Sequence, residues 1–295
     1  AIERWQTMAY RPETPAPATG IQGEGLIALR PHTDGPTTIV ATPDPHRTMP
    51  SIRADLVDGR IVVTANGDVT VTQHVGDIPD ALAAWGDTLA TAKDVRLRAQ
   101  APGWCSWYCH GPGVTAADVA TAVDAVTAQD LDVRVIQIDD GYQADIGDWL
   151  DRNTTAFPTP LTELTGRIAD AGMEAGLWTA PFCVGADSAL ARAHPEWLVD
   201  GALASDEHWG QPIRVLDVTH PGAADHLHGL FATLRSWGFA YHKVDFVYAG
   251  ALPGGRHGDA SPLDAYGEGL RIIRDAIGED ATLLGCGAPL LPSVG

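Results

Sequence analysis

The sequence predicts an α/β protein in which a (β/α)8 barrel follows part of a β-sandwich domain. Before about residue 95, short segments rich in β-branched residues alternate with turns, which is typical of antiparallel strands. After residue 100, short apolar segments alternate with segments of helical periodicity, which is typical of βα units. Polar or aromatic residues follow each apolar segment, and a barrel carries its active site at the carboxyl ends of its strands. We therefore expect two domains, at residues 1–95 and 96–295.

The first part is predicted to be the C-terminal part of an N-terminal β-sandwich domain with a connector helix. Asn66-Gly67 lies between alternating β-branched residues, which predicts a hairpin turn. Apolar residues at helical spacing predict a helix from Pro79 to about Lys93. Three or four strands alone would leave uncovered sheet edges, so this part is expected to be an incomplete β domain. The predicted strands are at residues 25–30, 37–42 and 61–74.

The second part contains six predicted strands separated by helices. An open doubly wound sheet is the alternative, but such a sheet concentrates its site at one switch point, and no glycine-rich phosphate loop follows a strand. Six strands are about two fewer than a barrel needs, so the barrel is expected to be incomplete. The strands end near residues 107, 138, 177, 216, 244 and 284, and the helices lie at 114–129, 161–172, 221–238 and 261–278.

Charge and composition restrict the partners. With 19 Lys and Arg against 38 Asp and Glu, the formal net charge of −19 repels phosphate backbones and anionic lipids, so neither nucleic acid nor membrane is an expected partner. No apolar stretch of about 18 residues and no signal peptide is found, which predicts a cytoplasmic protein. The cysteines lack metal or disulfide spacing, so we expect reduced thiols; the alternative is that Cys105 and Cys109 pair or hold a metal with a histidine such as His110. No set of His, Asp and Glu residues has metal-ligand spacing, and we expect no metal and no cofactor.

Two adjacent carboxylates, Asp139 and Asp140, follow the buried segment Val135–Ile138. Gly141 permits a turn that lets both side chains face the mouth of a barrel. Carboxylates accept hydrogen bonds from hydroxyl groups, and indole rings cover the apolar face of a sugar. The doublet predicts a site for a neutral polyol, although a solvated turn would have the same sequence.

A second candidate pair lies in the predicted strand at residues 239–246. Lys243 and Asp245 are two residues apart in a predicted strand, so they share one face. A carboxylate beside an ammonium stays ionised at neutral pH, as a nucleophile requires. A structural ion pair is the alternative interpretation of these two residues taken alone.

The motifs of residues 101–295 resemble the catalytic barrel of glycoside hydrolase family 36, the α-galactosidases, in the clan shared with family 27 and related to the raffinose-synthase-like proteins. Residues 1–95 are more distantly similar to the β-supersandwich domain that precedes this barrel. The motifs are GWCSWY at 103–108, VIQIDDGYQADIGDW at 135–149, AGLWTAPF at 175–182, HPEW at 194–197, VLDVTHP at 215–221, HKVDF at 242–246 and GCGAPLLPSVG at 285–295.

The resemblance implies a retaining α-galactosidase that releases terminal galactose from oligosaccharides such as melibiose and raffinose. It implies that Asp245 is the nucleophile that forms a covalent galactosyl intermediate. The residues that it implies for substrate binding are Asp139 and Asp140 at the O4 and O6 hydroxyls, Lys243 at other hydroxyls, and Trp107, Trp178 and Cys286 lining the subsite.

The sequence departs from the family in one respect. The acid/base aspartate of the family lies on a later barrel segment, so no residue of this chain matches it, and we expect a piece of a longer enzyme that hydrolyses ordinary galactosides poorly. An α-galactosyltransferase of the raffinose-synthase type and a non-catalytic galactoside-binding fragment are the alternatives. The full-length protein is a possible homo-oligomer.

Overall fold

The computed structural model describes residues 19–32, 34–96 and 99–295. The chain divides into two compact units. Unit 1 comprises residues 1–98 together with 289–295, and unit 2 comprises residues 99–288. Because the active-site candidates all lie in unit 2, that unit positions the site.

Unit 1 contains two antiparallel sheets and a helix. One sheet has the strand order β1-β4-β5, and the other has the order β2-β3-β6. The helix α1 (Ile78–Ala92) begins at the N-cap Asp77 and confirms the helix predicted from Pro79 to about Lys93. The strands are β1 (Ile21–Glu24), β2 (Leu26–Leu29), β3 (Thr37–Ala41), β4 (Ser51–Val57), β5 (Arg60–Ala65) and β6 (Thr70–His74).

The hairpin predicted at Asn66-Gly67 is wrong, because β5 and β6 belong to different sheets. The hairpin is instead formed by β4 and β5, which are joined by Asp58-Gly59. Both turn residues have positive φ, 50° and 73°, as a two-residue hairpin turn requires. The Asn66 side chain ends the β4–β5 pairing by accepting a 2.8 Å hydrogen bond from the Ser51 N–H.

The core of unit 1 lies on both faces of β3. Val40 packs in a buried cluster with residues of β2 and β4. Because β2 and β4 belong to different sheets, this cluster lies between the two sheets. Ile39 and Ala41, on the opposite face, pack against Ala81 of α1. Alternation along one strand thus places consecutive residues in two separate apolar layers.

Unit 2 is mixed α/β. Its helices are α2 (Trp107–His110), α3 (Ala116–Ala128), α4 (Leu161–Asp170), α5 (Ala189–Ala193), α6 (Pro221–Ser236) and α7 (Pro262–Ile277). Its strands are β7 (Gly103–Cys105), β8 (Val135–Ile138), β9 (Glu174–Thr179), β10 (Cys183–Gly185), β11 (Leu198–His208), β12 (Gln211–Leu216), β13 (Phe239–Val244) and β14 (Thr282–Gly285).

Five strands of unit 2 form a parallel sheet of order β7-β8-β9-β13-β14. The remaining predicted strand, at residues 214–218, falls partly in β12, which pairs antiparallel with β10 and β11 in a separate sheet. The prediction of six parallel βα units is therefore wrong for the described residues. An apolar segment of this length has the same sequence pattern in either type of sheet, so periodicity alone did not reveal the difference.

Side-chain caps mark the starts of helices α3, at Thr115, and α7, at Ser261, in unit 2. Thr115 and Asp118 form a reciprocal capping box at the start of α3. Val119, Val123 and Val126 are buried along one side of that helix. Within the described residues, no helix is long and apolar enough to cross a bilayer.

Candidate active site

The carboxyl ends of neighbouring parallel strands bring five of the predicted site residues to one edge of the sheet. Asp139 directly follows β8, and Trp178 lies at the end of β9. Lys243 lies near the end of β13, with Asp245 just beyond it, and Cys286 follows β14. Because β8, β9, β13 and β14 are consecutive neighbours in the sheet, residues distant in sequence become adjacent in space.

Asp139 and Lys243 form a buried ion pair. The Lys243 Nζ lies 2.7 Å from the Asp139 Oδ2, and the side chains are 14% and 3% exposed. Burial favours the neutral amine, but the hydrogen bond to Asp139 and its charge outweigh that effect and raise the pKa of Lys243 above its ordinary value. Gln137 Nε2 at 3.0 Å and Cys105 Sγ at 3.4 Å donate to the same oxygen. The ammonium is therefore fixed in place and charged.

Asp245 is held by donors on both of its carboxylate oxygens. The indole Nε1 of Trp178 donates to Oδ2 at 3.1 Å. The backbone N–H of Phe246 donates to Oδ1 at 2.7 Å, and Phe246 has a left-handed backbone with φ of 49°. Lys243 bonds to Asp139 rather than to Asp245, although the charge of Asp245 also raises the pKa of Lys243.

Asp140 points to a different set of donors from those of Asp139. Gln143 Nε2 donates to Oδ1 at 2.6 Å, and Trp209 Nε1 donates to Oδ2 at 2.8 Å. The turn after Asp140 requires glycine, since Gly141 has φ of +125° and a Cβ there would lie 2.5 Å from the carbonyl oxygen of Pro112. The predicted turn at Gly141 thus places two buried carboxylates side by side with separate partners.

Two neutral thiols lie beside the carboxylates. Burial and the charge of Asp245 raise the pKa of Cys286 to about 11. Burial and the charge of Asp139 likewise raise the pKa of Cys105 to about 11. Both thiols are protonated at neutral pH, so neither acts as a nucleophile there. All four cysteines are free, as predicted.

The two predicted tryptophans occupy different environments. Trp178 is buried and packs edge to face with Trp149 and Trp209, at ring distances of 5.6 and 6.1 Å. Trp107 begins α2, is 43% exposed, and touches the site through its backbone N–H, which bonds to the thiol of Cys105. The structure therefore gives Trp178 a direct contact with a carboxylate, and Trp107 an indirect one.

Asp217, which also follows an apolar segment of the sequence, has partners different from those of Asp139, Asp140 and Asp245. Its carboxylate accepts hydrogen bonds from Thr219 Oγ1 at 2.7 Å and from the His257 N–H at 2.7 Å. It also lies 3.7 Å from the buried guanidinium of Arg256. These contacts tie β12 to the loop before α7, which is a structural role.

Sequence reasoning missed the residues that orient the carboxylates. Gln137 lies within the buried strand β8, where its amide is hidden among apolar neighbours. Trp209 reaches Asp140 from the β11–β12 hairpin, 69 residues away in the chain. The signal for that hairpin was the sequence Trp209-Gly210 between two alternating segments, although it does not indicate where the indole points. No group of three or more metal-ligating side chains occurs within the described ranges.

Comparison with known proteins agrees with the resemblance. A family model described as Melibiase matches residues 117–249. Over 130 residues the chain is 31% identical to an α-galactosidase of Escherichia coli, an alignment that covers 42% of this chain and 18% of that protein. It also matches the α-galactosidase of Thermus thermophilus solved with stachyose, with 32% identity, a TM-score of 0.75, and coverage of 92% of this chain and 57% of the other.

The chain resembles known α-galactosidases in sequence and in fold. The crystal structure of the family 36 α-galactosidase AgaA from Geobacillus stearothermophilus shares the fold, with a TM-score of 0.67 at 16% identity, over 93% of this chain and 45% of that one. The chain thus spans just over half the length of the Thermus structure and less than half of AgaA.

Proposed function

We propose that this chain carries the galactose-binding site and the nucleophile of a retaining α-galactosidase. The observation that supports this most is the arrangement of Asp245, held by Trp178, beside the Asp139–Lys243 pair at the edge of the parallel sheet. The name of the Thermus relative includes both the activity and an oligosaccharide ligand. Terminal α-linked galactose in melibiose- and raffinose-type oligosaccharides is the proposed substrate.

In this mechanism Asp245 attacks the anomeric carbon, and the bond to the leaving oxygen breaks. The carbon passes through an oxocarbenium-like transition state and forms a covalent galactosyl ester with Asp245. The hydrogen bonds from Trp178 and Phe246 hold the carboxylate in place for this step. A second carboxylic acid about 5 to 5.5 Å from the nucleophile protonates the leaving oxygen and then activates water. We assign no residue of this chain to that role.

The neighbouring side chains are proposed to recognise the sugar. Asp139 and Asp140 accept hydrogen bonds from the O4 and O6 hydroxyls, while Lys243 donates to other hydroxyls. Trp178 and Cys286 line the subsite beside Asp245. Trp107, near the exposed rim, is proposed to contact the same sugar.

Wider features follow from the same proposal. The parallel sheet of unit 2 is proposed to belong to a (β/α)8 barrel, and the sheets of unit 1 to the β-sandwich domain that precedes it. The homo-oligomer of the full-length protein and the cytoplasmic location stay predictions from the sequence. The transferase and the non-catalytic binding fragment are alternatives that no contact in the site favours.

The test uses a 2-deoxy-2-fluoro-α-galactosyl donor with an activated leaving group, followed by intact mass measurement and peptide mapping. The fluorine slows the breakdown of the ester, so we expect one galactosyl adduct on the peptide that contains Asp245. The Asp245→Ala variant should gain no mass. The control Asp225→Ala, which changes an exposed carboxylate on α6, should be labelled like the unaltered chain. An adduct on another carboxylate, or no adduct on a folded chain, would contradict the proposal.

A further inference from the structure

The hairpin between β11 and β12 has an unusual residue at its turn. Trp209 and Gly210 connect the strands, with His208 paired to Gln211, and their φ values are 52° and 75°. A two-residue turn of this type favours Asn, Asp or Gly at its first position, and a bulky residue with positive φ is uncommon. Strained residues of this kind persist where the surrounding structure holds them in place.

The side chain of Gln211, next to the turn, anchors the hairpin to the rest of unit 2. Gln211 Nε2 donates to Asp145 Oδ1 at 2.6 Å, and Gln211 Oε1 accepts from the Asp187 N–H at 2.8 Å. Both partners belong to loops of unit 2 that lie outside the hairpin. Because Gln211 directly follows the turn, these two hydrogen bonds fix the position of the turn.

The indole of Trp209 extends from this turn into the site. Its Nε1 donates to Asp140 Oδ2 at 2.8 Å. Its ring packs edge to face against Phe246 at 5.1 Å and against Trp178 at 6.1 Å. Those two residues donate hydrogen bonds to Asp245. The indole thus contacts one carboxylate directly and the supports of the other.

The contacts of Asp140 leave hydrogen-bonding capacity on both of its carboxylate oxygens. Among the described residues each oxygen accepts one side-chain donor, Gln143 Nε2 on Oδ1 and Trp209 Nε1 on Oδ2. A carboxylate has about four lone-pair sites, so each oxygen can accept one more hydrogen bond. Two donors on opposite oxygens also prevent rotation of the carboxylate, which fixes the direction of the remaining lone pairs.

We propose that Trp209 is a positioning residue that orients Asp140 toward the sugar hydroxyls and so contributes to selectivity for galactose. This inference rests on the proposed function, and it adds a residue from outside the parallel sheet to that site. The strained turn supports it, because a smaller residue would suit the backbone better but could not reach Asp140. The role is indirect, since Trp209 acts through the carboxylate.

The experiment measures galactose and glucose affinity by calorimetry for the chain with Trp209→Phe, Asp140→Asn and both changes. Phenylalanine keeps an aromatic ring at the turn and removes the indole donor. We expect W209F to weaken galactose binding about tenfold, equivalent to 1.4 kcal/mol, and to lower the ratio of galactose to glucose affinity. In the D140N background, W209F should have almost no further effect, because Trp209 would have no carboxylate to orient.

Trp237→Phe serves as the matched control, since Trp237 ends α6 and its carbonyl, rather than its indole, makes the hydrogen bond to Thr165. Trp209→Tyr gives a second variant without the indole donor if W209F does not fold. Unchanged galactose affinity in a folded W209F or W209Y variant, or full additivity with D140N, would overturn the inference alone. Failure of the unaltered, folded chain to bind galactose would overturn the proposed function as well.

Discussion

Asp139 and Asp140 are neighbours in the chain, yet their side chains have separate partners. Asp139 bonds to Lys243 and Gln137 within the parallel sheet, whereas Asp140 bonds to Gln143 and Trp209. This separation explains how a buried strand can end on two carboxylates, because each one has its own donors. It also means that a change to one set of partners can be tested without changing the other set.

Removal of the Lys243 ammonium should destabilise the chain. The Lys243→Met variant leaves the Asp139 charge buried without its cation, and we expect a loss of about 3 kcal/mol in the free energy of unfolding. Urea denaturation at neutral pH measures this. Adding Asp139→Asn to the variant should recover part of the loss. The control Arg134→Met removes an exposed partner of Asp132 and should cost less than about 0.5 kcal/mol; an equal loss in both single variants would contradict the prediction.

Substitution of Gly141 should be far more damaging than substitution of a glycine in open space. Gly141→Ala places a methyl group 2.5 Å from a backbone oxygen in a backbone region that alanine rarely adopts, so we expect a loss of about 2 kcal/mol or more. Gly166→Ala, in α4 with no atom within 4 Å of the new Cβ, should instead stabilise by about 0.5 to 1 kcal/mol. Thermal unfolding compares them, and similar shifts in both melting temperatures would contradict this account.

Among the secondary-structure elements, helices were the most predictable. Thr115 and Asp118 indicate the start of α3 from the sequence alone, because a capping box depends on residues only three apart. Strand pairing was less predictable, because it depends on residues far apart. Unit 1 contains three Asx-Gly pairs, Asp34-Gly35, Asp58-Gly59 and Asn66-Gly67, and only Asp58-Gly59 forms a two-residue turn between paired strands. The turn sequence shows that the chain can reverse, but it does not decide which strands pair.

The capping box offers a test at this scale. Thr115→Ala removes the oxygen that accepts the Asp118 N–H at 3.2 Å, and we expect a loss of about 1 kcal/mol in the free energy of unfolding. Thr121→Ala, at an exposed position in the middle of the same helix, should be neutral or slightly stabilising because alanine has the higher helix propensity. Chemical denaturation of both variants measures the difference, and a larger loss for T121A would show that the cap is unimportant.

At the scale of the whole molecule, local sequence patterns predicted most of the site residues, whereas residues positioned by long-range contacts could not be predicted. The carboxylates, Lys243 and Trp178 could be selected from the sequence because each follows or ends a recognisable strand. Trp209 and Gln137 could not, because their roles depend on a hairpin anchored elsewhere and on a polar group hidden in an apolar strand. The count of parallel strands also failed, because sheet membership is a property of the assembled unit.

Stability of the whole chain should depend on pH through a buried histidine. Burial, with the nearby charges of Arg235 and Arg274, lowers the pKa of His242 to about 4, against about 6.5 in the unfolded chain. The unfolded state therefore binds more protons between these values, so stability falls as pH decreases from about 6.5 to 4. This group accounts for about 3 kcal/mol of that loss.

The measurement is urea denaturation at several pH values between 4 and 7. The His242→Phe variant should lose less stability over that interval than the unaltered chain, since it has no imidazole to protonate. The carboxylates titrate in both proteins, so the comparison isolates the contribution of this side chain. Parallel pH curves for the two proteins would show that His242 does not contribute.

The thiols beside the carboxylates have a practical consequence for oxidation and labelling. With a pKa of about 11, Cys105 and Cys286 are present as thiolate in only about one molecule in ten thousand at neutral pH. Oxidants and alkylating reagents act on thiolates. Burial and the neighbouring carboxylates keep these two thiols protonated and so protect them from such reagents. Cys109, which is exposed, is the thiol that such reagents reach. A fluorescent dye or an affinity tag can therefore be attached at Cys109 while the sugar site keeps its chemistry.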